Sequence, residues 1–531
     1  MIQLLIKNAN IIDGTANKSY KANIAIDNGK IIAIDKDLQC EAKQIVDAKS
    51  QTVTPGFIDV HGHTDMFAFV DPECSAKLKQ GVTTELAGQC GFTLAPISNN
   101  HWAEFYGYYS KLGAPLNESF KQYTSFQSYL NMLEQLPLGI NLGLFVGHGT
   151  LRIAAMGLDN GKPNTDQLQK MKILLQECLE SGAFGLSSGL MYAPGSYADE
   201  QEIIELCEIV NKYQGHYTSH LKNQGNSLVE CVKQTINIGA KTKIAVNISH
   251  HKAVGKKNWG KVKETCSLIN EANNAGIKVS HDTYPYIASS TTLSGTLPPS
   301  CLKDGAETFL KQLKDKKYQQ QLKDKIFNPD EDWDNDIKEN GFNSLLIIRA
   351  AHTPKAVGKT ITEYALSLGQ DEFDTYVELL LQNQLDVSDI CFSMSEDDVE
   401  YLLKHKSCMI CTDSLYVAGM PMTHPRSIGS FPRVLGRYVR EKQSLTLEQA
   451  VYKMTGLAAE NYNLTNKGKI AVGYDADIVI FNKEKIIDKS TFSNPIQDNE
   501  GIKYVIVNGE IAVKDNKTTG IRCGKIIRRN N

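Results

Sequence analysis

The sequence predicts an α/β protein: a (β/α)8 TIM-like barrel with a small discontinuous β-sandwich domain formed by both termini. Three features predict this fold. Strand-like and helix-like segments alternate along the middle of the chain. Both ends consist instead of short strand-like runs separated by turn signals. Polar residues typical of metal sites follow several central strands. In a barrel the ends of these strands lie at the mouth, where active sites occur.

The two ends of the chain have the pattern of antiparallel β-structure. Asp13-Gly14 and Asn28-Gly29 each separate apolar runs, and Asn508-Gly509 does the same near the other end. Such dipeptides are hairpin signals. Each end alone is too short to close a hydrophobic core. We therefore predict that residues 1–54 and 466–531 pack together as one β-sandwich domain.

Residues 55–465 are predicted to form the barrel. Eight strand-like segments occur there, and eight βα units close a parallel barrel. Asp166–Glu180 and Ser227–Ile238 are the clearest helices between them. The candidate strands are Phe57–His63, Val82–Cys90, Asn141–His148, Ala183–Ser188, His216–Leu221, Lys243–His250, Ile277–Asp282 and Ser407–Asp413.

One part of the barrel region does not follow the repeat. The stretch from about 287 to 350 is irregular, polar and rich in Lys and Asp. Two further strand-like runs, Leu345–Arg349 and Ile390–Met394, exceed the count that a barrel needs. We interpret residues 287–350 as an insertion after the seventh strand.

Composition is that of a globular enzyme: 41% hydrophobic and 22% charged residues, with a formal net charge of −3. No basic stripe predicts nucleic-acid binding, and no apolar run reaches the roughly 20 residues that span a bilayer. The twelve scattered cysteines and the lack of a signal-peptide pattern favour the reducing cytoplasm. Cys408 and Cys411 are interpreted as core-strand residues, and Arg528 and Arg529 as part of a frayed terminus.

His61 and His63 follow an apolar run in the sequence Pro55-Gly-Phe-Ile-Asp-Val-His-Gly-His63. Residues i and i+2 of a strand point to the same face, so the two imidazoles are predicted to project side by side. Such a pair suits a divalent metal. A surface turn with two histidines is equally compatible with this stretch taken alone.

Further candidate ligands also stand at predicted strand ends. Because strand ends converge at the mouth of a barrel, we expect these residues to meet there. A set of imidazoles, a thiolate and a carboxylate suits Zn²⁺. Taken singly, each histidine is compatible with a core position, the cysteine with a small buried hydrophobe, and the aspartate with a helix N-cap. The residues are Cys90, His220, His250 and Asp413.

These motifs resemble those of the amidohydrolase superfamily, and within it those of the N-acyl-D-amino-acid deacylases. The resemblance covers nearly the whole chain. Cys90 and the His424-Pro-Arg stretch are its most specific parts. The matching stretches are 55–63, 80–84, 88–91, 146–152, 187–195, 284–286, 392–395, 411–414, 424–436 and 453–457.

The resemblance implies zinc-dependent hydrolysis of N-acyl-D-amino acids. In related hydantoinases and dihydroorotases a carboxylated lysine on the fourth strand bridges two metals, but Ala183–Ser188 contains no lysine. The resemblance assigns that bridging role to Cys90. It also implies two groups of ligands: a firmly held Zn²⁺ on Cys90, His220 and His250, and a weaker second site on His61, His63 and Asp413.

Asp413 is expected to act as general base and then as general acid, passing a proton from water to the departing amine. The substrate's α-carboxylate needs a cation, and the guanidinium of Arg426 offers bidentate geometry. Lys252 and Tyr284 match family positions that hold the same carboxylate. Tyr192 is a weaker candidate for substrate contact, with packing as its alternative role.

Two other readings stay open at this point. One is a cyclic-amide hydrolase of dihydroorotase or hydantoinase type, and the other is a non-catalytic barrel scaffold. Family members selective for acidic D-amino acids place an extra arginine after the Tyr-Pro-Tyr stretch. Ser289–Pro298 contains no cation, so the resemblance implies a neutral or apolar D-side chain. The expected partner is a small-molecule substrate, with no nucleic acid and no membrane. The oligomeric state is left open.

Overall fold

A computed structural model describes residues 1–529 of the chain. Strands occur at both ends and throughout the middle, as the sequence predicts. The strands are β1 (Ile2–Ile11), β2 (Tyr20–Asp27), β3 (Lys30–Asp35), β4 (Ala42–Asp47), β5 (Thr52–Pro55), β6 (Phe57–Asp59), β7 (Val82–Ala87), β8 (Asn141–Leu144), β9 (Val146–Gly147), β10 (Gly185–Gly189), β11 (His216–His220), β12 (Ala245–Ile248), β13 (Val279–Thr283), β14 (Ser289–Thr292), β15 (Leu345–Ala350), β16 (Val387–Cys391), β17 (Cys408–Ile410), β18 (Ile478–Phe481), β19 (Ile502–Val507), β20 (Glu510–Lys514), β21 (Lys517–Thr518) and β22 (Ile526–Ile527).

Helices follow most of the central strands. Near the end of the barrel region one helix runs directly into a π-helix, Val434–Glu441. The α-helices are α1 (Ser75–Leu78), α2 (Trp102–Lys111), α3 (Phe126–Glu134), α4 (His148–Met156), α5 (Thr165–Glu180), α6 (Glu200–Lys212), α7 (Leu228–Thr242), α8 (Lys261–Asn274), α9 (Ala306–Gln312), α10 (Lys316–Phe327), α11 (Asp336–Asn340), α12 (Ile361–Leu368), α13 (Glu372–Gln382), α14 (Glu396–Lys404), α15 (Arg426–Arg433), α16 (Leu447–Met454) and α17 (Gly456–Tyr462).

The central strands form the predicted parallel barrel. One parallel run contains β6, β7 and β8, and a second contains β9 to β13 in order and then β17. Only Phe145 separates β8 from β9, so together they form the third predicted strand. The circle closes where the backbone N–H of Asp413 donates to the carbonyl of His61 at 2.8 Å. The fold prediction is confirmed.

Helix α5 illustrates how the sequence builds the outer layer. Its buried face includes Met171, Leu175 and Cys178, at spacings of three and four residues that place them on one side of a helix. A capping box begins the helix: Asn164 accepts from the backbone N–H of Gln167, whose side chain accepts from that of Asn164. Such a cap stabilises a helix by about 1 kcal/mol.

Strands from both ends of the chain share a single nine-stranded sheet. Its order is β21-β20-β19-β18-β5-β1-β2-β3, with β4 also paired to β1. Apolar residues from both ends, including Ile6, Ile24 and Ile478, form a common core. The sheet is mixed rather than purely antiparallel, because β4 and β5 run parallel to β1. The domain boundaries at residues 54 and 466 stay predictions.

The end of the chain is not frayed up to residue 529, contrary to the sequence interpretation. β22 pairs in parallel with β8 of the barrel. Arg528 follows, and its Nη2 atom lies 2.7 Å from Oε1 of Glu134 on α3. The physical reason is strand pairing: β10 pairs with β9 rather than β8, and β22 takes the edge of β8 that this arrangement leaves.

The insertion at residues 287–350 stays a prediction, and additional secondary structure lies between β13 and β17, from β14 to β16. β14, β16 and β15 form an antiparallel three-stranded sheet, and α9 to α13 pack around it. The two surplus strand-like runs belong to this sheet as β15 and β16. It has its own apolar core, which includes Leu293, Ile347 and Tyr376. Within residues 1–529, none of the helices combines the length and the apolar character needed to cross a membrane.

Candidate metal centre

Donor atoms of four residues meet at the mouth of the barrel. His61 follows β6, Cys90 follows β7, His250 follows β12 and Asp413 follows β17. One donor atom from each lies within 4.8 Å of the other three. Nε2 of His61 is 3.2 Å from Sγ of Cys90, and that sulfur is 3.5 Å from Nε2 of His250. Residues from four separate strands therefore share one small volume.

Two further histidines extend this group. Nδ1 of His220, the last residue of β11, is 2.9 Å from Nε2 of His250. Nε2 of His63 is 3.3 Å from Oδ1 of Asp413, although 350 positions separate the two residues in the sequence. The structure thus brings all the predicted ligand residues into one buried cluster.

Three of the cluster residues have a left-handed backbone. The φ angles are 54° at Cys90, 35° at His250 and 48° at Asp413. Residues other than glycine rarely adopt this conformation, which costs about 1–3 kcal/mol at each position. Each one lies just beyond the end of its strand, where the chain turns at the barrel mouth. Such strain, repeated at one site, is typical of a functional constraint.

Asp282 on β13 is a member of this site that the sequence analysis missed. Its Oδ1 atom accepts a hydrogen bond from the backbone N–H of His250 at 2.7 Å and lies 3.6 Å from Nδ1 of His61. Its Oδ2 atom accepts from Asn247 at 2.5 Å. Burial raises the pKa of Asp282 to about 6. A carboxylate behind an imidazole orients that ring for metal binding. The available signal was its place at the end of a predicted strand.

A second feature that the sequence analysis missed lies beneath the cluster. The ammonium of Lys77 on α1 contacts Asp59 at 2.5 Å, Glu85 at 2.8 Å and Thr412 at 2.7 Å, all in the interior. Burial alone lowers the pKa of Lys77, but the two carboxylates raise it above its ordinary value. This charged network connects β6 and β7 to the segment that carries Asp413.

Burial holds the imidazoles of His61, His220 and His250 neutral, which is the form that binds a metal. Burial, and then the neighbouring Lys252, lower the pKa of His220 to about 3. The same two causes, in the same order, hold the pKa of His250 well below its usual range. Burial is also the main cause of the strongly lowered pKa of His61.

The thiol and the carboxylate of the cluster differ in charge. Burial, reinforced by Asp413, raises the pKa of Cys90 well above its usual range. Burial also favours the neutral form of Asp413, but Arg426 and His250 outweigh it and hold the pKa of Asp413 well below normal. The Nδ1 atoms of His61 and His63 are buried without a hydrogen-bond partner. Imidazole, thiol and carboxylate donors at these separations fit Zn²⁺, which takes nitrogen, sulfur and oxygen ligands.

Arg426, Lys252 and Tyr284 lie together beside the cluster. Nη1 of Arg426 is 2.8 Å from Oδ2 of Asp413, and its guanidinium stacks over the Tyr284 ring at 4.5 Å. Nζ of Lys252 contacts Nδ1 of His250 at 2.7 Å and Oε1 of Gln224 at 2.8 Å. Two cations therefore lie at the edge of the donor cluster, and both are buried.

A cavity of about 340 Å³ opens in front of these groups. The cluster and the paired cations form one end of it. The segment from β14 to β16 and the loop before α15 form much of the rest. Tyr192 also lies on this wall: its ring is 4.9 Å from that of His220, and its hydroxyl is 3.1 Å from Oγ1 of Thr291. Apolar residues of the wall include Met191, Ile348 and Met422.

Comparison with known proteins identifies the family. The amidohydrolase family model matches residues 44–217 and 381–513. D-aminoacylase from Alcaligenes xylosoxydans xylosoxydans is 32% identical over 530 residues, covering 99% of this chain and 97% of that protein. The chain belongs to the amidohydrolase family. Its full-length relatives place it among the N-acyl-D-amino-acid deacylases, which are hydrolases of linear amides.

Solved structures agree with this family assignment. N-acyl-D-glutamate deacylase from Bordetella bronchiseptica, solved with zinc and a phosphonate inhibitor, superimposes with a TM-score of 0.83 at 31% identity, covering 99% of each chain. A D-aminoacylase described as having a binuclear metal centre superimposes with a TM-score of 0.83 at 32% identity, covering 100% of each chain. Zn²⁺ is therefore the cofactor that both the donor set and the family favour.

Two other histidines near the predicted strands do not join the cluster. His148 forms a buried contact with Glu202 at 2.8 Å, and Arg152 lies 2.6 Å from the same carboxylate. His251 points away from the barrel axis, as strand alternation predicts, and contacts Thr265 on α8 at 2.9 Å.

Proposed function

We propose that this chain hydrolyses the amide bond of N-acyl-D-amino acids, giving a carboxylate and a free D-amino acid. The position of Asp413 carries the proposal. Its Oδ1 atom faces His63 at 3.3 Å and His61 at 3.6 Å, and its Oδ2 atom is 2.8 Å from Arg426. One carboxylate thus adjoins both the metal donors and a cation suited to the substrate's own carboxylate. The names of the full-length relatives support the substrate class.

The six clustered residues divide into two sets of ligands. Cys90, His220 and His250 hold the tightly bound Zn²⁺, and His61, His63 and Asp413 offer a weaker second site. The distances of Cys90 Sγ to His61 and His250, 3.2 and 3.5 Å, support its placement between the two sets. When bound, Zn²⁺ supplies Lewis acidity towards the amide carbonyl and the attacking water.

Asp413 moves the proton. Its lowered pKa keeps it ionised at neutral pH, so its oxygens accept a proton when water attacks. The same carboxyl group then donates that proton to the nitrogen of the departing amine. His61 and His63 steady the carboxylate between these two steps, because both face Oδ1.

Arg426 binds the α-carboxylate of the substrate. Its Nη1 atom is close to Asp413 but forms no aligned hydrogen bond there, so the N–H groups of Nη1 are available to a ligand, while Nη2 donates to the carbonyl of Ser290 at 3.4 Å. Stacking over Tyr284 holds the guanidinium plane in place. Lys252 adds a second positive charge. Burial lowers its pKa to about 8.

The D-side chain of the substrate is neutral or apolar in this proposal. Met191, Ile348 and Met422 offer an apolar wall for it. Among the cavity-lining residues, the cation outside the carboxylate site is Arg349, and Asp386 pairs with it at 2.5 Å. A paired arginine attracts an acidic side chain less than a free one does, since its charge is already neutralised.

Replacing Asp413 with Asn tests the catalytic role. The change keeps the volume but removes the proton acceptor, so we expect kcat to fall by about 10³-fold. Metal analysis should still find zinc, held by Cys90, His220 and His250. Asp488→Asn is a matched control, because Asp488 is also a buried partner of an arginine, Arg433 at 3.1 Å, outside the cavity. A near-normal rate in Asp413→Asn excludes Asp413 from proton transfer.

A substrate panel tests the specificity. Zinc-loaded protein should hydrolyse N-acetyl-D-methionine well, N-acetyl-D-glutamate poorly and N-acetyl-L-methionine least. Hydrolysis of cyclic amides in preference to all three contradicts the proposed activity. Faster cleavage of the D-glutamate compound overturns the side-chain assignment alone.

The chain is proposed to work in the cytoplasm. All twelve cysteines are free thiols, ten of them buried, which suits a reducing compartment. Fractionation of cells that express the chain at its native level tests this placement. Recovery outside the cytoplasmic fraction contradicts it.

A further inference from the structure

A second group of metal-type ligands lies on the outer side of the barrel wall. His251 follows β12 and points outward, while its neighbour His250 points into the mouth. On β13, Asp282 points inward and His281 outward. Cys266 lies on α8, the helix that covers these two strands. Donor atoms of His251, Cys266 and His281 all lie within 4.8 Å of one another, and all three residues are buried.

A further histidine extends the group. His405 lies at the end of α14, and its Nδ1 atom is 2.8 Å from Nε2 of His281. The ring centroids of His251 and His281 are 5.0 Å apart, and those of His281 and His405 are 4.9 Å apart. Three imidazoles and one thiol thus come from two strands and two helices.

Hydrogen bonding does not account for all the nitrogens of these rings. His281 and His405 use one nitrogen each in their mutual contact, and His251 uses Nε2 with Thr265. The remaining three nitrogens, Nδ1 of His251, Nδ1 of His281 and Nε2 of His405, are buried without a hydrogen-bond partner. Leaving a buried polar atom unpaired costs about 1–3 kcal/mol. A cation that accepts the lone pairs of these nitrogens removes part of that cost.

We propose that His251, Cys266 and His281 bind a divalent metal ion of the zinc class, with His405 beside them in contact with His281. Imidazole nitrogen and thiolate sulfur are both donors that zinc takes. The outer position favours a structural role, since His251, Cys266 and His281 are at most 1% exposed. Binding replaces the thiol proton of Cys266, so one proton is released for each ion bound.

The charge around this group has both favourable and unfavourable parts. Burial lowers the pKa of His281 and of His405, which keeps both rings in the neutral, ligating form. Three ammonium groups act on these rings: Lys252 on His251, Lys406 on His405, and Lys453 on both His281 and His405. Lys453 donates to the backbone carbonyls of His405 and Cys408. A positive charge there opposes a metal ion but also favours the thiolate of Cys266.

Cobalt spectroscopy tests the proposal separately from catalysis. The full chain carrying Cys90→Ser has no thiol among the ligands of the catalytic centre. We expect Co²⁺ to give it a near-ultraviolet thiolate-to-cobalt band. Adding Cys266→Ser should abolish the band, whereas adding Cys178→Ser should leave it unchanged. Cys178 is the matched control, a buried thiol on α5 that belongs to neither ligand group found within residues 1–529.

Absence of the band in Cys90→Ser protein, or its survival after Cys266→Ser, overturns the proposal. A second measurement avoids all substitutions. Crystals of the unmodified zinc-loaded chain should show an anomalous peak at the zinc edge between β13 and α8, besides the peak at the barrel mouth. Density at the mouth alone also overturns the proposal and leaves the catalytic assignment intact.

Discussion

Strands β12 and β13 carry two kinds of histidine site, one on each face of the barrel wall. On the inner face, His250 meets Cys90, His220 and the carboxylate of Asp282. On the outer face, neighbouring residues of the same strands meet Cys266 and a helix end. Cys90, His220 and His250 on the inner face are buried, and so are His251, Cys266 and His281 on the outer face. Burial therefore does not distinguish them.

The two groups differ in their charged surroundings and in their access to a cavity. The inner group adjoins Asp413, Arg426 and Lys252 and borders a cavity of about 340 Å³. The outer group has the ammonium groups of Lys453, Lys406 and Lys252 around it, and helix α8 covers the group. Neutral imidazoles suffice to bind a metal, but hydrolysis also needs a base, a cation for the substrate and room for it. The comparison teaches that adjacent residues can supply two metal-type sites whose roles are set by the charged groups and the cavity beside them.

The largest expected difference between the two faces is in activity. His250→Ala removes a proposed zinc ligand, so kcat/KM should fall by about 10³-fold or more. His281→Ala, on the outer face, should keep the rate within a few-fold while lowering the melting temperature. Steady-state kinetics and calorimetry measure both. An equal loss of rate in the two variants contradicts the assignment of catalysis to the inner group and of a structural role to the outer group.

Arg426→Lys tests the inner cations. A lysine keeps the charge but loses the bidentate fork and the stacking on Tyr284, so KM should rise by about 10²-fold, with a smaller change in kcat. Arg433→Lys serves as the control: it lies on the same helix, α15, but pairs with Asp488 outside the cavity. A rise in KM in the control as large as in Arg426→Lys contradicts carboxylate binding by Arg426.

Asp282→Asn tests the orienting carboxylate. The variant weakens support for His250 and His61, and zinc affinity should fall by about 10–100-fold. Competition with a chromophoric chelator measures that affinity. Ser280→Ala is the control on the same strand, since Ser280 bonds Asn247 at 2.9 Å deeper in the wall. Unchanged affinity in Asp282→Asn removes this residue from the centre.

The smallest expected effect is on stability. It comes from His216 at the start of β11, the strand that ends at His220. There His216 bonds the carbonyl of Asn461 at 2.7 Å, and Arg529 contacts its Nδ1 atom at 3.1 Å. Burial and then Arg529 lower the pKa of His216 to about 4. Above pH 6.5 the ring is neutral in both the folded and the unfolded chain, so it does not lower the free energy of unfolding.

Between pH 6.5 and 4 the unfolded chain binds a proton that the folded chain does not, so stability falls with pH. The full loss is about 3 kcal/mol from this one group. His216→Gln should therefore lose less stability than the wild type between pH 7 and 4.5 in urea titrations. Equal losses in the two proteins show that His216 does not titrate in this range.

Strand alternation and strand ends explain why so much of the site was predictable. Five of the cluster residues each stand where an apolar run ends, a pattern that is visible in the sequence. They are His61, Cys90, His220, His250 and Asp413. Asp282 was missed because its role depends on a partner ring 221 positions away, His61. Lys77 was missed for a similar reason: nothing near it in the sequence indicates that its partners lie on other strands.

The amino-acid sequence by itself determined the strand and helix order, the barrel, the two-ended β-domain and the residues at the barrel mouth, because these follow from periodicity and local turn chemistry. Only the tertiary structure decided that β22 joins the barrel, that β14, β15 and β16 form a separate sheet, and that outward-facing His251 and His281 meet Cys266. Those outcomes depend on contacts between distant segments. Local sequence patterns do not encode which segments pack together.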